Sequence, residues 1–105
     1  EHTVAVFAVM SDKDCHDMIS ALEGLIDFWC LPAGVGGPRG QAPSLLSKLI
    51  LDESAVYTSF SLAWDSALSR AGAHGRVVVF GSFFTVGEGL GALNNAACLR
   101  LEAGL

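Results

Sequence analysis

Four polar side chains stand where chemistry can occur. Asp12 and Lys13 lie just past an apolar run over 3–10, Arg39 sits in a glycine-rich stretch, and Ser82 follows Val77-Val78-Val79-Phe80-Gly81 directly. Open parallel sheets collect their binding chemistry beyond the carboxyl ends of strands, where side chains and helix amino termini converge. A serine hydroxyl placed there, with neighbouring backbone N–H groups, can hold a carboxylate or phosphate; a plain helix cap is the other reading of Ser82. Lys13 is either a mobile cation near the same edge or a surface lysine paired with Asp12 or Asp14. Arg39 either meets an anion or belongs to a flexible connection.

Several familiar chemistries are not supported. Gly34-Val35-Gly36-Gly37-Pro38-Arg39-Gly40 lacks the Gly-Lys-Ser/Thr ending of a phosphate loop and has the wrong strand spacing for GxGxxG. Asp12, Asp14, Asp17 and Glu23 superficially follow a calcium loop, but its sixth place holds Asp17 where glycine is required. His2, His16 and His74 are scattered and no Cys or His pair has zinc-ligand spacing, so no metal site is assigned. No GxSxG elbow surrounds Ser82, and no residue is assigned a catalytic role.

Composition narrows the classes further. A chain of 105 residues with 51% hydrophobic and 16% charged content is one domain with ample core material. A net charge of −5 argues against a nucleic-acid partner. Cys15, Cys30 and Cys98 are odd in number and set among apolar residues, which reads as buried thiols in a cytoplasmic protein. No run approaches membrane-span length. The start at Glu1, with a strand beginning almost at once, reads as a piece of something longer or a processed terminus.

The elements that must position these residues follow from periodicity. Residues 4–10 are apolar without alternation, as in a strand covered on both faces. Ser11 or Asp12 then caps a helix whose buried stripe is Cys15, Met18, Ile19 and Leu22, ended by Gly24. A short strand over 27–31 and a loop over 32–42 precede a helix opened by Pro43, with Leu45, Leu46, Leu49 and Ile50 apolar. A brief strand over 55–57 leads to a Thr58 or Ser59 cap. Phe60, Ala63, Trp64, Ala67, Leu68 and Ala71 give the clearest helical period, closed by Gly72. A strand over 76–81 precedes a glycine-weakened helix starting near Ser82 or Thr85, and residues 96–105 form a short helix or a tail. This order predicts an α/β fold with mostly parallel pairing and right-handed crossovers.

Read jointly, the motifs are more specific. Val6-Phe7-Ala8-Val9-Met10-Ser11-Asp12-Lys13-Asp14, Gly37-Pro38-Arg39-Gly40, Ala63-Trp64 with Ala67, and Val77-Val78-Val79-Phe80-Gly81-Ser82-Phe83-Phe84-Thr85-Val86 occur in this order. The chain thereby resembles the carboxyl-terminal domain of bacterial folylpolyglutamate synthase/dihydrofolate synthase, in the Mur ligase superfamily. It departs from that pattern at Phe84, where the family usually has His, and in its final glycine-rich helix.

The resemblance implies a single Rossmann-like three-layer domain over residues 1–105, lacking its first strand. It also implies a parent ligase in which ATP and Mg2+ serve an amino-terminal P-loop domain of the same chain. Glutamate would be joined there to a pterin or folate substrate. Ser82 would contact glutamate; Asp12, Lys13 and Arg39 would face the interdomain cleft near the nucleotide. The fragment alone would bind no cofactor and be inactive. Loss of the first strand would expose the edge of strand 4–10 and favour self-association. A free-standing small-anion-binding or interaction module, without catalysis, is the rival reading.

Overall fold

The computed structural model describes residues 2–10, 15–35, 37, 40–81, 87 and 90, and the backbone of 101–104. Strands and helices alternate: β1 (Thr3–Ala8), α1 (Cys15–Leu22), β2 (Phe28–Pro32), α2 (Pro43–Leu49), β3 (Ser54–Tyr57), α3 (Phe60–Ala71), β4 (Arg76–Gly81) and β5 (Leu101–Gly104). The strands form one sheet in the order β3-β2-β1-β4-β5, and all of its strand pairs are parallel.

The unbroken apolar character of β1 has a direct cause: both sheet faces are covered. Val4, Val6 and Ala8 point to one side, where they pack with Phe28, Cys30, Val77, Val79 and the Phe60, Ala63, Trp64 and Ala67 stripe of α3. Ala5, Phe7 and Val9 point to the other, against Cys15 and Ile19 of α1, Leu46 of α2, and Trp29, Leu31 and Phe80. Phe7 stands at the centre of that second layer, its ring 5.6 Å from Trp29 edge-on and 4.6 Å from Phe80. The result is a three-layer α/β domain.

Local signals end the elements where expected. Ser59 caps α3, its hydroxyl accepting from Leu62 N–H at 3.3 Å. Gly72 closes that helix at φ 69°, donating to Leu68 O. Pro43 opens α2 without a side-chain cap. In α2, Leu46 and the following Ile50 are buried, whereas Leu45, assigned to the same stripe, is 43% exposed.

Three expectations need correction. Asp27 does not begin β2: its N–H donates to Thr3 O and its carboxylate accepts from Thr3 N–H at 2.7 Å, so it braces the start of β1 instead. Residues 101–104 are not helical but form β5, beside β4 from Val77↔Leu101 to Phe80↔Gly104. A free strand edge needs hydrogen-bond partners, and that tertiary demand overrides the helix propensity of Leu-Glu-Ala. Finally, β1 has no exposed edge: it pairs with β2 on one side and along its full length with β4 on the other. Self-association through a bare β1 edge therefore has no structural basis. The expected cap at Ser11 or Asp12 lies outside the described residues; of the final helix, only Gly87 and Leu90 are described, and both are helical.

Candidate functional site at the carboxyl edge

The strand order creates a topological switch point. From β1 the chain winds outward to β2 and β3, then returns across the sheet through α3 to β4 on the opposite side of β1. The carboxyl ends of β1 and β4 therefore lie side by side where the winding direction reverses. This is where an α/β sheet binds ligands.

The described backbone packs closely at these carboxyl ends. On one side, Gly81 pairs with Ala8 at the last register position of β1 and β4. Gly81 adopts φ 123°, and a Cβ placed on it would collide with the Ala8 carbonyl oxygen. On the other side, the loop after β2 folds back onto the β1 exit. Ala33 N–H donates to Tyr57 O, Gly37 N–H to Gly34 O, and Gly40 N–H to Gly37 O. The loop then docks through Gln41 N–H to Val9 O at 2.7 Å and an antiparallel bridge between Met10 and Gly40. The exits of β1 and β4 and the end of the glycine-rich loop therefore converge.

Ser82, Asp12, Lys13 and Arg39 themselves lie outside the described residues. Their described sequence neighbours are Gly81, Met10 and Gly40, the backbone positions that converge at the switch point. Sequence reading identified the two strand exits but missed the docking of Gly40 and Gln41. Its only linear signal is the glycine spacing, which does not name β1 as the partner.

Two of the described histidines fall at opposite edges of the sheet, His16 in the first turn of α1 that follows the β1 exit. His16 is an exposed helix residue 3.8 Å from Asp17, and His2 lies 3.6 Å from Asp27 at the opposite, amino-terminal edge. Among the described residues, no three His, Cys, Asp or Glu side chains come close enough to hold a metal ion. Cys15 and Cys30 are buried thiols. Cys30 belongs to a polar chain between sheet and helix: its Sγ donates to Tyr57 OH at 3.9 Å, Tyr57 OH and Ser66 Oγ lie 2.6 Å apart, and Arg70 Nε donates to Ser66 at 3.3 Å. Burial raises the Cys30 pKa, only partly offset by hydrogen bonding from Tyr57 and Ser66 and by the Arg70 charge. A thiol so held is a poor nucleophile. Arg70 also lies 3.5 Å over the Phe28 ring, which pins α3 to the start of β2.

Comparison with known proteins connects this architecture to a family. The dihydrofolate synthase/folylpolyglutamate synthase of Escherichia coli is 39% identical over 85 residues, covering 79% of this chain and 19% of that protein. The enzyme of the same name from Buchnera aphidicola is 27% identical over 84 residues, covering 80% of this chain and 20% of that protein. The chain is homologous to dihydrofolate synthase/folylpolyglutamate synthase. E. coli FolC in complex with DHPP and ADP superposes with a TM-score of 0.79 and 30% identity, covering 90% of this chain and 22% of that one. FolC bound to ADP without folate substrate gives the same TM-score at 29% identity. No protein-family model matches the chain. The chain thus spans about a fifth of the length of the synthases it matches. Agreement in both sequence and fold bears out the resemblance read from the motifs, and the parallel sheet is part of the architecture shared with FolC.

Proposed function

We propose that the chain is the carboxyl-terminal lid domain of an ATP-dependent ligase that adds L-glutamate to dihydropteroate or (tetrahydro)folate. The observation that carries the reading is 39% identity to the E. coli synthase over 79% of this chain, together with a TM-score of 0.79 to FolC bound to ADP. In such a reaction a phosphoryl group passes from ATP to the substrate carboxylate. The glutamate amine then attacks the acyl carbon, phosphate leaves, and an amide forms with loss of the amine proton.

In this reading the domain's own side chains position and stabilise rather than react. Ser82 meets the incoming glutamate, and Asp12, Lys13 and Arg39 face the nucleotide across the interdomain cleft. Their support is the convergence of Gly81, Met10 and Gly40 at the switch point. The phosphoryl chemistry, with its P-loop and Mg2+, is assigned to an amino-terminal domain, because the glycine-rich loop of this chain has no Gly-Lys-Ser/Thr ending. A cytoplasmic location accords with the buried free thiols and with the finding that no helix among the described residues is long and apolar enough to cross a membrane.

Two preparations test the proposal. The purified 105-residue chain is expected to show neither ATP hydrolysis nor incorporation of labelled glutamate, whereas the full-length chain incorporates glutamate in an ATP- and acceptor-dependent manner. Turnover by the short chain overturns the lid assignment, and a full-length chain that incorporates no glutamate overturns the ligase assignment.

A further inference from the structure

We propose that Gly81 is a positioning residue of the carboxyl-edge site: its missing side chain sets the closeness of β1 and β4 at the switch point. The inference rests on the synthase reading above. Gly81 is the last residue of β4, pairs with Ala8, and holds φ 123°, a conformation that L side chains rarely adopt. A Cβ there would meet the Ala8 carbonyl oxygen and stand 2.9 Å from the carbonyl carbon. Both are backbone atoms, so no side-chain rotation relieves the collision.

Nor can β1 simply move aside. Its exit is held on the far side by Gln41 N–H on Val9 O at 2.7 Å and by the Met10–Gly40 bridge. Gly40 is itself packed so closely that a Cβ would strike Val35 O. The β1 exit is clamped between two side-chain-free backbones. Displacement introduced at Gly81 is therefore passed to the chain leaving the switch point rather than absorbed in the sheet. The residue after Gly81 is the one proposed to meet glutamate, so the displacement reads out in glutamate binding.

Gly75 supplies a matched control. It precedes β4 at the opposite edge of the sheet, where a Cβ would strike Ala71 O and lie 2.7 Å from His2 O. Gly75→Ala thus burdens the same strand by the same kind of collision, about 20 Å from the switch point at roughly 3.3 Å per strand residue. Both variants are made in the full-length chain and assayed for glutamate incorporation at saturating ATP and acceptor, at a temperature where circular dichroism shows both folded. Gly81→Ala is expected to raise the KM for glutamate about tenfold or more, with Gly75→Ala within twofold of the unaltered chain. Equal KM values for the two variants overturn the inference. If Gly81→Ala does not fold, Gly40→Ala probes the other jaw of the clamp and is also expected to raise KM; an unchanged KM there overturns it. Absence of turnover in the unaltered full-length chain overturns the synthase reading, and the inference with it.

Discussion

Phe7 offers the sharpest test of how the core is built. Its side chain is fully buried, with ring centroids 5.6 Å from Trp29 at 79° and 4.6 Å from Phe80 at 32°. Phe7→Ala removes the ring and leaves a cavity, which costs about 3–5 kcal/mol, a large share of the roughly 5–15 kcal/mol that holds a domain folded. Phe7→Leu is more informative because it keeps most of the apolar volume and discards the ring contacts. Two aromatic pairs at about 0.5–1.5 kcal/mol each give an expected loss of about 1–3 kcal/mol. In urea, with a slope of roughly 1–3 kcal/mol/M, the midpoint falls by about 1 M while the slope holds. The assay is fluorescence-detected unfolding of Phe7→Leu, Phe80→Leu and the double variant. The cycle should return a coupling of about 0.5–1.5 kcal/mol for the Phe7–Phe80 pair. Phe60 lies in the other core layer, against α3, so Phe7→Leu and Phe60→Leu should add without coupling. Zero coupling between positions 7 and 80, or strong coupling between 7 and 60, would refute the two-layer account of the core.

Two further outcomes follow from polar groups. Because burial raises the Cys30 pKa above its ordinary 9.0, the folded state favours the neutral thiol; that stabilisation is complete below the unfolded-state pKa and is lost as pH rises through the higher folded value. Unfolding midpoints measured from pH 8 to 11 should fall more steeply for the natural chain than for Cys30→Ala, and parallel curves would contradict this. Asp52 accepts from Gly24 N–H and Trp29 Nε1–H, both at 3.3 Å. These bonds are long, so Asp52→Ala should cost about 1 kcal/mol, the low end for stranding a partly buried donor, and Asp52→Asn, which keeps an acceptor, less; equal midpoints for the two variants would exclude that role.

What was legible in the sequence follows from the physics of each element. The α3 stripe from Phe60 to Ala71 was readable because one-sided burial imposes a 3.6-residue period, and Phe60, Ala63, Trp64, Ala67 and Ala71 are all buried. β1 and β4 were readable because burial on two faces selects unbroken β-branched runs. The resemblance was readable because several weak motifs occurred in a fixed order. β5 was not legible: Leu-Glu-Ala-Gly is short and holds no β-branched or aromatic residue, and its pairing arises only because β4 offers a free edge. Nor was the position of β1. Loss of a preceding strand pointed to an exposed β1 edge, yet the crossover through α3 places β1 between β2 and β4.

That displacement of β1 to the centre is what joins the two strand exits into one place. Had β1 been an edge strand, the turn after Met10 and the turn after Gly81 would have belonged to different parts of the rim. With β1 and β4 adjacent, both exits open at the same point of the rim. In the proposed lid role, contacts must be held at fixed separation while they meet a substrate bound largely elsewhere, because small displacements of positioning groups cost rate steeply. A side chain at position 81 cannot serve that end, since the strands are already in backbone contact there. On the proposed reading, this edge depends as much on the glycine that permits the approach as on the polar residues that follow it.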